Sequence, residues 1–358
     1  MNDMFTTLGY YVHNLNPFIF KIAGWGPRWY GVAYLLGFLG AYLLVQKNSR
    51  DGMLRLNPDR VSDLVLNCCI FGVLIGGRLG YCLFYGRHLL GFTAEFPYWG
   101  VLKVWEGGMA SHGGIIFTVL TVAWFARKYR TQGANFVNIS DASCMVVPVG
   151  LFFGRCANFI NGELYGHPTT VPWGVKFPSE IYAPTNGTIA PEVYAKLPSV
   201  FDALKFPLNY FKPDEAAADG LRLLSSRLVA HNQEAVDAVA TILPARHPSQ
   251  LYEALLEGLV LFILCWLVGR WWRKDGMASG AFLTFYPIMR IIGEQFRVGD
   301  TPRQYLGMDM SMGVLLSLPM ILVGATYWGY FIVRSKPNVW QPIAGKAVPP
   351  VEPPAKPG

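Results

Sequence analysis

The 358-residue chain is poor in charge and rich in apolar residues, which excludes an ordinary soluble domain. Hydrophobic residues make up 52% of it and charged residues only 15%, whereas soluble domains carry about 25% charge. So little charge over this length requires either a very large core or a lipid solvent. The formal net charge of +7 does not indicate nucleic-acid binding, because the basic residues fall in short clusters between apolar runs.

Seven apolar segments are long enough to cross a bilayer as helices, which takes about 20 residues for a hydrocarbon core of about 30 Å. In chain order they are 29–46, 63–85, 110–126, 140–160, 251–269, 277–297 and 311–333. Glycines at four-residue spacing, such as Gly72, Gly76 and Gly80, allow close approach of neighbouring helix backbones. The sequence therefore predicts an all-α polytopic membrane protein with seven transmembrane helices.

The loops that follow spans one, three, five and seven are rich in Lys and Arg. Because basic loops stay on the cytoplasmic side of a membrane, this alternation predicts the N-terminus outside and the C-terminus in the cytoplasm. An odd number of spans requires termini on opposite sides, so the count and the charges agree.

Five segments follow from this topology. They are an extracytoplasmic N-terminal segment (1–28), spans one to four (29–161), a small extracytoplasmic insert between spans four and five (162–246), spans five to seven (247–333) and a cytoplasmic Pro-rich tail (334–358). Within the insert, Thr170 to Pro178 alternates in polarity and predicts a hairpin, whereas Glu215 to Leu243 predicts one or two amphipathic helices.

Neither a metal site nor a disulfide framework is indicated. The six cysteines lie inside apolar runs and none has CxxC spacing, so we interpret them as small core residues. The chain has no HExxH motif and no cluster of acidic residues in sequence. We therefore expect no metal and no cofactor.

The unusual polar residues of the predicted spans all fall at helix ends that face outside. They are Tyr30, Arg78, His112, Arg155, Asn158, Asn161, Glu163, Tyr252, Tyr286, Arg290, Glu294 and Arg297. An arginine at the centre of a span costs roughly 2.5–3.5 kcal/mol on insertion scales. Inward arginines with carboxylate and amide neighbours are therefore most simply kept for an anionic ligand.

Simpler interpretations stay open for several of these residues. Arg297 can snorkel to the interface and complement the end of its helix. Glu294 can be a structural counter-ion for Arg290, and Tyr30, next to Trp29, can belong to an aromatic belt. Glu257 is interpreted as a packing or interface residue and is assigned no role.

Six motifs resemble the signature of the bacterial prolipoprotein diacylglyceryl transferase family, in order and approximate spacing along nearly the whole chain. They are WYG at 29–31, GGRLGY at 76–81, GGMASHGG at 107–114, GRCANFINGELYG at 154–166, RHPSQLYE at 246–253 and RIIGEQFR at 290–297. The departures are Cys156, where the family usually has another apolar residue, a longer insert and the Pro-rich tail.

The resemblance implies a multi-pass enzyme of the bacterial cell inner membrane with its active site toward the extracytoplasmic face. Such transferases move the diacylglyceryl group of phosphatidylglycerol, a membrane lipid, to the lipobox cysteine in the signal peptide of a prolipoprotein, and release glycerol phosphate. This protein modification is the first step of lipoprotein biosynthesis.

The resemblance also implies roles for single residues. The catalytic set is His112, Arg155, Arg290 and Tyr30; the substrate-binding set is Arg78, Asn158, Asn161, Glu163, Gly166, Tyr252, Tyr286 and Glu294. The two catalytic arginines would hold the lipid phosphate, and His112 would take the proton of the substrate thiol, although a tyrosine or the phosphate itself is an alternative base.

Two other classes of protein share some of these features. A lipid or anion transporter also has inward arginines, but it usually shows inverted repeats and polar residues at the midplane, and no repeat is visible. A purely structural scaffold does not need arginines at one membrane face.

Overall fold

Long helices account for most of the architecture. The structure, a computed structural model, describes residues 9–22, 26–92, 94, 96–103, 108–185, 187–208, 213–299, 303–305 and 308–335. The predicted Pro-rich tail lies outside these residues after Ser335. The long helices are α1 (Trp29–Arg50), α2 (Pro58–Phe84), α3 (Ser111–Lys128), α4 (Phe136–Asn161), α10 (Ser249–Trp272), α11 (Met277–Glu294) and α12 (Met312–Arg334).

Within the described ranges, five of these helices are long and apolar enough to cross a membrane, namely α1, α2, α4, α10 and α12. This confirms the prediction of a helical, multi-pass membrane protein. The third and sixth predicted spans also form helices, α3 and α11, of 18 residues each. Each carries two charged residues and is not among the five. The count of seven spans and the orientation therefore stay predictions.

The chain divides into two compact units, which are described separately. The first contains residues 1–37, 147–266 and 280–329, and the second contains 38–146, 267–279 and 330–358.

In the second unit, glycines bring α2 and α3 into backbone contact. A Cβ on Gly113 would lie 2.2 Å from the carbonyl oxygen of Gly76, and one on Gly80 would lie 2.5 Å from the Cα of Gly113. Both distances are too short for any side chain. The glycine spacing on α2 therefore has the packing role that the sequence predicts.

In the first unit, residues 162–246 build a small helical body with its own apolar core. Its helices are α5 (Ser179–Tyr182), α6 (Pro191–Tyr194), α7 (Leu197–Ala203), α8 (Pro213–Val229) and α9 (Gln233–Ala240). Phe201, Leu224 and Val239 are almost completely buried in this core. Helices α8 and α9 agree with the prediction of one or two amphipathic helices over Glu215 to Leu243.

The hairpin predicted over Thr170 to Pro178 is wrong. Strand β2 (Val175–Lys176) pairs in parallel with β1 (Tyr11–Val12), which lies far away in the sequence. An alternating pattern indicates a strand but does not identify its partner. Between α11 and α12, strand β3 (Arg303–Tyr305) pairs antiparallel with β4 (Met308–Met310).

Candidate functional site: an arginine–glutamate cluster and its neighbouring loop

Three arginines and three glutamates of the first unit form one ion-paired cluster, here called the arginine–glutamate cluster. Its members are Arg155, Glu253, Glu257, Arg290, Glu294 and Arg297. Arg155 Nη1 lies 3.0 Å from Glu253 Oε2 and its Nη2 lies 3.0 Å from Glu257 Oε2. Arg290 Nη1 lies 2.8 Å from Glu253 Oε1 and 3.3 Å from Glu257 Oε1. Two carboxylates are thus shared by two guanidinium groups.

The remaining two members extend the cluster along α11 and just beyond its end. Arg290 Nη2 lies 2.8 Å from Glu294 Oε2, as expected for the counter-ion interpretation of Glu294. Arg297 Nη1 lies 3.4 Å from Glu253 Oε1 and its side chain is only 14% exposed. Arg297 therefore takes part in the cluster and does more than snorkel.

The glutamates at the centre of the cluster are more deeply buried than the arginines. Glu253 and Glu257 have fully buried side chains, whereas those of Arg155 and Arg290 are 16% and 15% exposed. Three positive and three negative charges balance, which makes a buried cluster tolerable in a low-dielectric setting. The accessible surface of the cluster therefore belongs to the arginine side chains and, in small part, to Glu294, whose side chain is 8% exposed.

A second polar group, the Tyr30–Asn158–Glu163 triad, lies one helical turn further along α4. The Tyr30 hydroxyl and the Asn158 Nδ2 each donate to Glu163 Oε1 at 2.8 Å, and Asn158 also donates to the Tyr30 hydroxyl. Asn158 follows Arg155 by three residues and so shares its face of α4. The triad therefore lies next to the cluster along α4.

The way α4 ends explains why the Glu163 side chain turns back toward Tyr30 and Asn158. Gly162 has a φ of +66°, its N–H donates to Phe159 O at 2.9 Å, and Glu163 N–H donates to Asn158 O at 3.2 Å. This is the Schellman arrangement, in which a left-handed glycine ends a helix. The Asn-Gly-Glu sequence therefore stops α4 and reverses the chain at the site.

All five backbone carbonyls of the loop Gly162–Gly166 accept hydrogen bonds from other segments. Their donors are, in order, the Ser179 hydroxyl, the Gln250 amide at 2.6 Å, the Ser249 hydroxyl at 2.8 Å, the Val298 N–H at 3.4 Å and the Arg246 guanidinium at 3.3 Å. The RHPSQLYE motif thus holds this loop through Arg246, Ser249 and Gln250. That role was not predicted from the sequence.

Close packing of the backbone requires a glycine at position 166. A Cβ there would lie 2.2 Å from Phe296 O and 2.7 Å from His247 O, and Gly166 N–H donates to His247 O at 2.9 Å. The buried Arg246 next to it donates to both oxygens of the buried Glu180, through Nε at 2.7 Å and through Nη2. Glu180, on α5, thereby ties the helical body of the insert to the loop.

Tyr252, a predicted substrate-binding residue, is the centre of a small aromatic group. Its hydroxyl accepts a hydrogen bond from the Trp173 Nε1–H at 2.7 Å and lies 3.1 Å from His247 Nδ1. Its ring packs edge-to-face on Phe296, with centroids 5.2 Å apart.

Two further predicted residues lie near these groups. Tyr286, one turn before Arg290 on α11, stacks on Phe282 at 5.4 Å and interacts electrostatically with Glu257 and Arg290. The buried Asn161 Oδ1 has no hydrogen-bond partner among the described residues.

Arg78 and His112 belong to the second unit. Arg78 is buried and donates to Val101 O at 2.8 Å, to Gly100 O and Lys103 O at 3.0 Å, and to Gly108 O at 3.2 Å. It therefore organises the segment that leads into α3. His112 is the second residue of α3 and is exposed.

Sequence reasoning missed Glu253 and Glu257, although a signal was available. Arginines inside spans require buried counter-charges, and these two acidic residues, four positions apart in an apolar helix, are suitable candidates. Within the portion of the chain that the structure describes, no group of three His, Cys, Asp or Glu side chains is arranged to hold a metal ion.

Apolar helices that carry a buried arginine–glutamate cluster define a multi-pass membrane protein with two neighbouring, partly exposed arginine side chains. The family model for prolipoprotein diacylglyceryl transferase matches residues 17–330. The chain belongs to that family.

Several bacterial relatives carry the name phosphatidylglycerol–prolipoprotein diacylglyceryl transferase. The protein from Bdellovibrio bacteriovorus is 39% identical over 328 residues, which cover 87% of this chain and 92% of its own. The protein from Legionella pneumophila strain Corby is 35% identical, with 88% and 96% covered. The protein from Xylella fastidiosa strain 9a5c is 36% identical, with 94% and 99% covered.

Proposed function

We infer that this chain transfers the diacylglyceryl group of phosphatidylglycerol to the lipobox cysteine thiol of prolipoproteins. The family match over most of the chain and the names of its relatives support this activity. In the reaction the thiol sulfur bonds to the phosphate-bearing carbon of the diacylated glycerol, and the phosphate stays on the headgroup glycerol. The carbon–oxygen bond breaks, and glycerol phosphate leaves with the bonding electron pair.

The observation that carries this proposal is the side-by-side placement of Arg155 and Arg290. Both guanidinium groups are held by the same two buried carboxylates and both keep an accessible fraction. A guanidinium fork matches the geometry of a phosphate. In a partly dry site it also stabilises the negative charge that grows on a departing phosphate.

Other residues receive supporting roles in the proposal. The Tyr30–Asn158–Glu163 triad orients the headgroup beside Arg155, and the fixed loop Gly162–Gly166 holds the triad's carboxylate in place. His112 takes the proton of the substrate thiol, whose pKa of about 8.5 leaves it mostly protonated at neutral pH.

We further propose that the protein lies in the bacterial inner membrane with seven spans, an outer N-terminus and a cytoplasmic C-terminus. Its active site then faces the extracytoplasmic side, and so does the insert. Reporter fusions in 162–246 test this topology, and a cytoplasmic signal from that segment would contradict it.

The central experiment is transfer of labelled diacylglyceryl from phosphatidylglycerol to a lipobox peptide by the full chain in proteoliposomes. The peptide should gain the label through a thioether, and a matched peptide with Ser in place of the lipobox Cys should gain none. Movement of phosphatidylglycerol between leaflets without labelled peptide would instead favour the transporter alternative.

A further inference from the structure

The two fully buried carboxylates of the cluster have no direct access to a substrate. The side chains of Glu253 and Glu257 are 0% exposed, while Arg155, Arg290 and Arg297 keep 14–16% of their surface. A lipid headgroup can therefore reach part of each arginine side chain but not these carboxylates. Any effect of Glu253 or Glu257 on a reaction is therefore indirect, and their ion-pair partners are the arginines.

Each of these carboxylates forms ion pairs with the same two arginines. Glu253 meets Arg155 through Oε2 and Arg290 through Oε1, at 3.0 and 2.8 Å. Glu257 repeats the arrangement at 3.0 and 3.3 Å. Two carboxylates bridged in this way restrict both the separation and the rotation of the two guanidinium planes.

We propose that Glu253 and Glu257 form a carboxylate clamp that positions Arg155 and Arg290 to bind one lipid phosphate and limits how tightly they hold it. The proposal rests on the proposed function. The clamp engages Nη atoms of each arginine and leaves the exposed part of each arginine side chain for an anion. It also balances the arginine charge, so that the anionic product is not retained by a surplus of positive charge.

Opposite changes in turnover and in anion affinity follow from this arrangement. Replacing one clamp carboxylate by an amide raises the net charge of the cluster by one. It also removes an ionic partner from Arg155 Nη2 and Arg290 Nη1. Turnover should fall because the two guanidinium groups are misplaced. Binding of a free anion should strengthen because the net positive charge of the cluster is higher. Simple damage to the fold would weaken both.

The test compares Glu257→Gln with Glu234→Gln in the full-length protein. Glu234 lies on α9 of the insert, is 70% exposed, and gives the same carboxylate-to-amide change outside the cluster. Turnover is measured with phosphatidylglycerol and a lipobox peptide at saturation, and binding of glycerol phosphate is measured by calorimetry. Folded protein is quantified by size-exclusion chromatography and thermal unfolding.

For Glu257→Gln we expect turnover per folded molecule to fall about ten- to a hundredfold. The added positive charge should lower its dissociation constant for glycerol phosphate roughly three- to tenfold. This range allows for screening of the charge by solvent. Glu234→Gln should change neither quantity. Glu257→Asp keeps the charge but is too short to reach both arginines, so its anion affinity should stay near wild type while turnover is reduced.

Wild-type turnover per folded molecule in Glu257→Gln would overturn the clamp, and so would weaker binding of glycerol phosphate. If that variant does not fold, Glu257→Asp takes over the test, and normal turnover there overturns the proposal. Absence of transfer by the wild-type chain would instead refute the proposed function. The glycerol phosphate titration would still test the clamp in that case.

Discussion

Replacing Arg155 by lysine keeps the positive charge but removes the guanidinium fork. In the structure the two Nη atoms of Arg155 each lie 3.0 Å from a different buried carboxylate. A lysine has a single nitrogen and three N–H groups, so it cannot meet both carboxylates and still offer two parallel donors to a phosphate.

The size of the effect follows from the donor that the phosphate loses. Removing one preorganised donor from a developing oxyanion costs about 2.7–4 kcal/mol of transition-state stabilisation, which lowers kcat by about 10²–10³. Stability should change less, because the charge balance of the cluster is preserved. We therefore expect Arg155→Lys to fold and to be nearly inactive.

The assay is the initial rate of labelled diacylglyceryl transfer at saturating lipid and peptide, normalised to folded protein. Arg227→Lys is the matched control, because the Arg227 side chain is 40% exposed and its Nη1 lies 3.9 Å from the carboxylate of Glu234, outside the cluster. The control should keep wild-type activity. If Arg155→Lys also keeps most of its turnover, the planar fork is unnecessary and the phosphate-binding role of Arg155 is wrong.

Three further predictions concern other parts of the molecule. His112→Gln should lower turnover roughly 10²–10⁴-fold with lipid binding kept, and a higher pH should partly restore it because more substrate thiol is ionised. A pH-rate profile and a lipid-binding titration check this, and lost binding without rescue would make His112 a headgroup ligand. Gly166→Ala should destabilise the protein by about 1–3 kcal/mol, because its Cβ would lie 2.2 Å from Phe296 O; an unchanged thermal transition would contradict the packing argument. A variant with all six cysteines replaced by Ala should keep substantial transferase activity if it folds, whereas specific loss from Cys156→Ala alone would indicate a covalent intermediate.

Local sequence determined much of the fold because its signals act over short distances. Hydropathy alone located the long helices, since a segment in lipid must satisfy its own backbone hydrogen bonds. Glycine spacing on α2 predicted close packing, and the contact of Gly80 with Gly113 confirms it. The amphipathic pattern of Glu215 to Leu243 likewise identified α8 and α9.

The tertiary structure decided which side chains meet. The pairing of β1 with β2 joins residues 11–12 to 175–176, and no local pattern encodes such a contact. Arg78 was predicted to bind substrate, yet it donates to four backbone carbonyls between Gly100 and Gly108. A sequence reveals that an arginine is costly inside an apolar helix, but only the fold determines which acceptors offset that cost.

The arginine–glutamate cluster shows the same division between what the sequence determined and what the fold determined. Motif spacing identified Arg155, Arg290 and Glu294, because polar residues in apolar helices are conspicuous one at a time. Glu253 and Glu257 acquire their importance only because α10 carries them to arginines from α4 and α11. Electrostatic interactions depend on distance in space rather than along the chain, so the sequence determined the charges and the fold determined their partners.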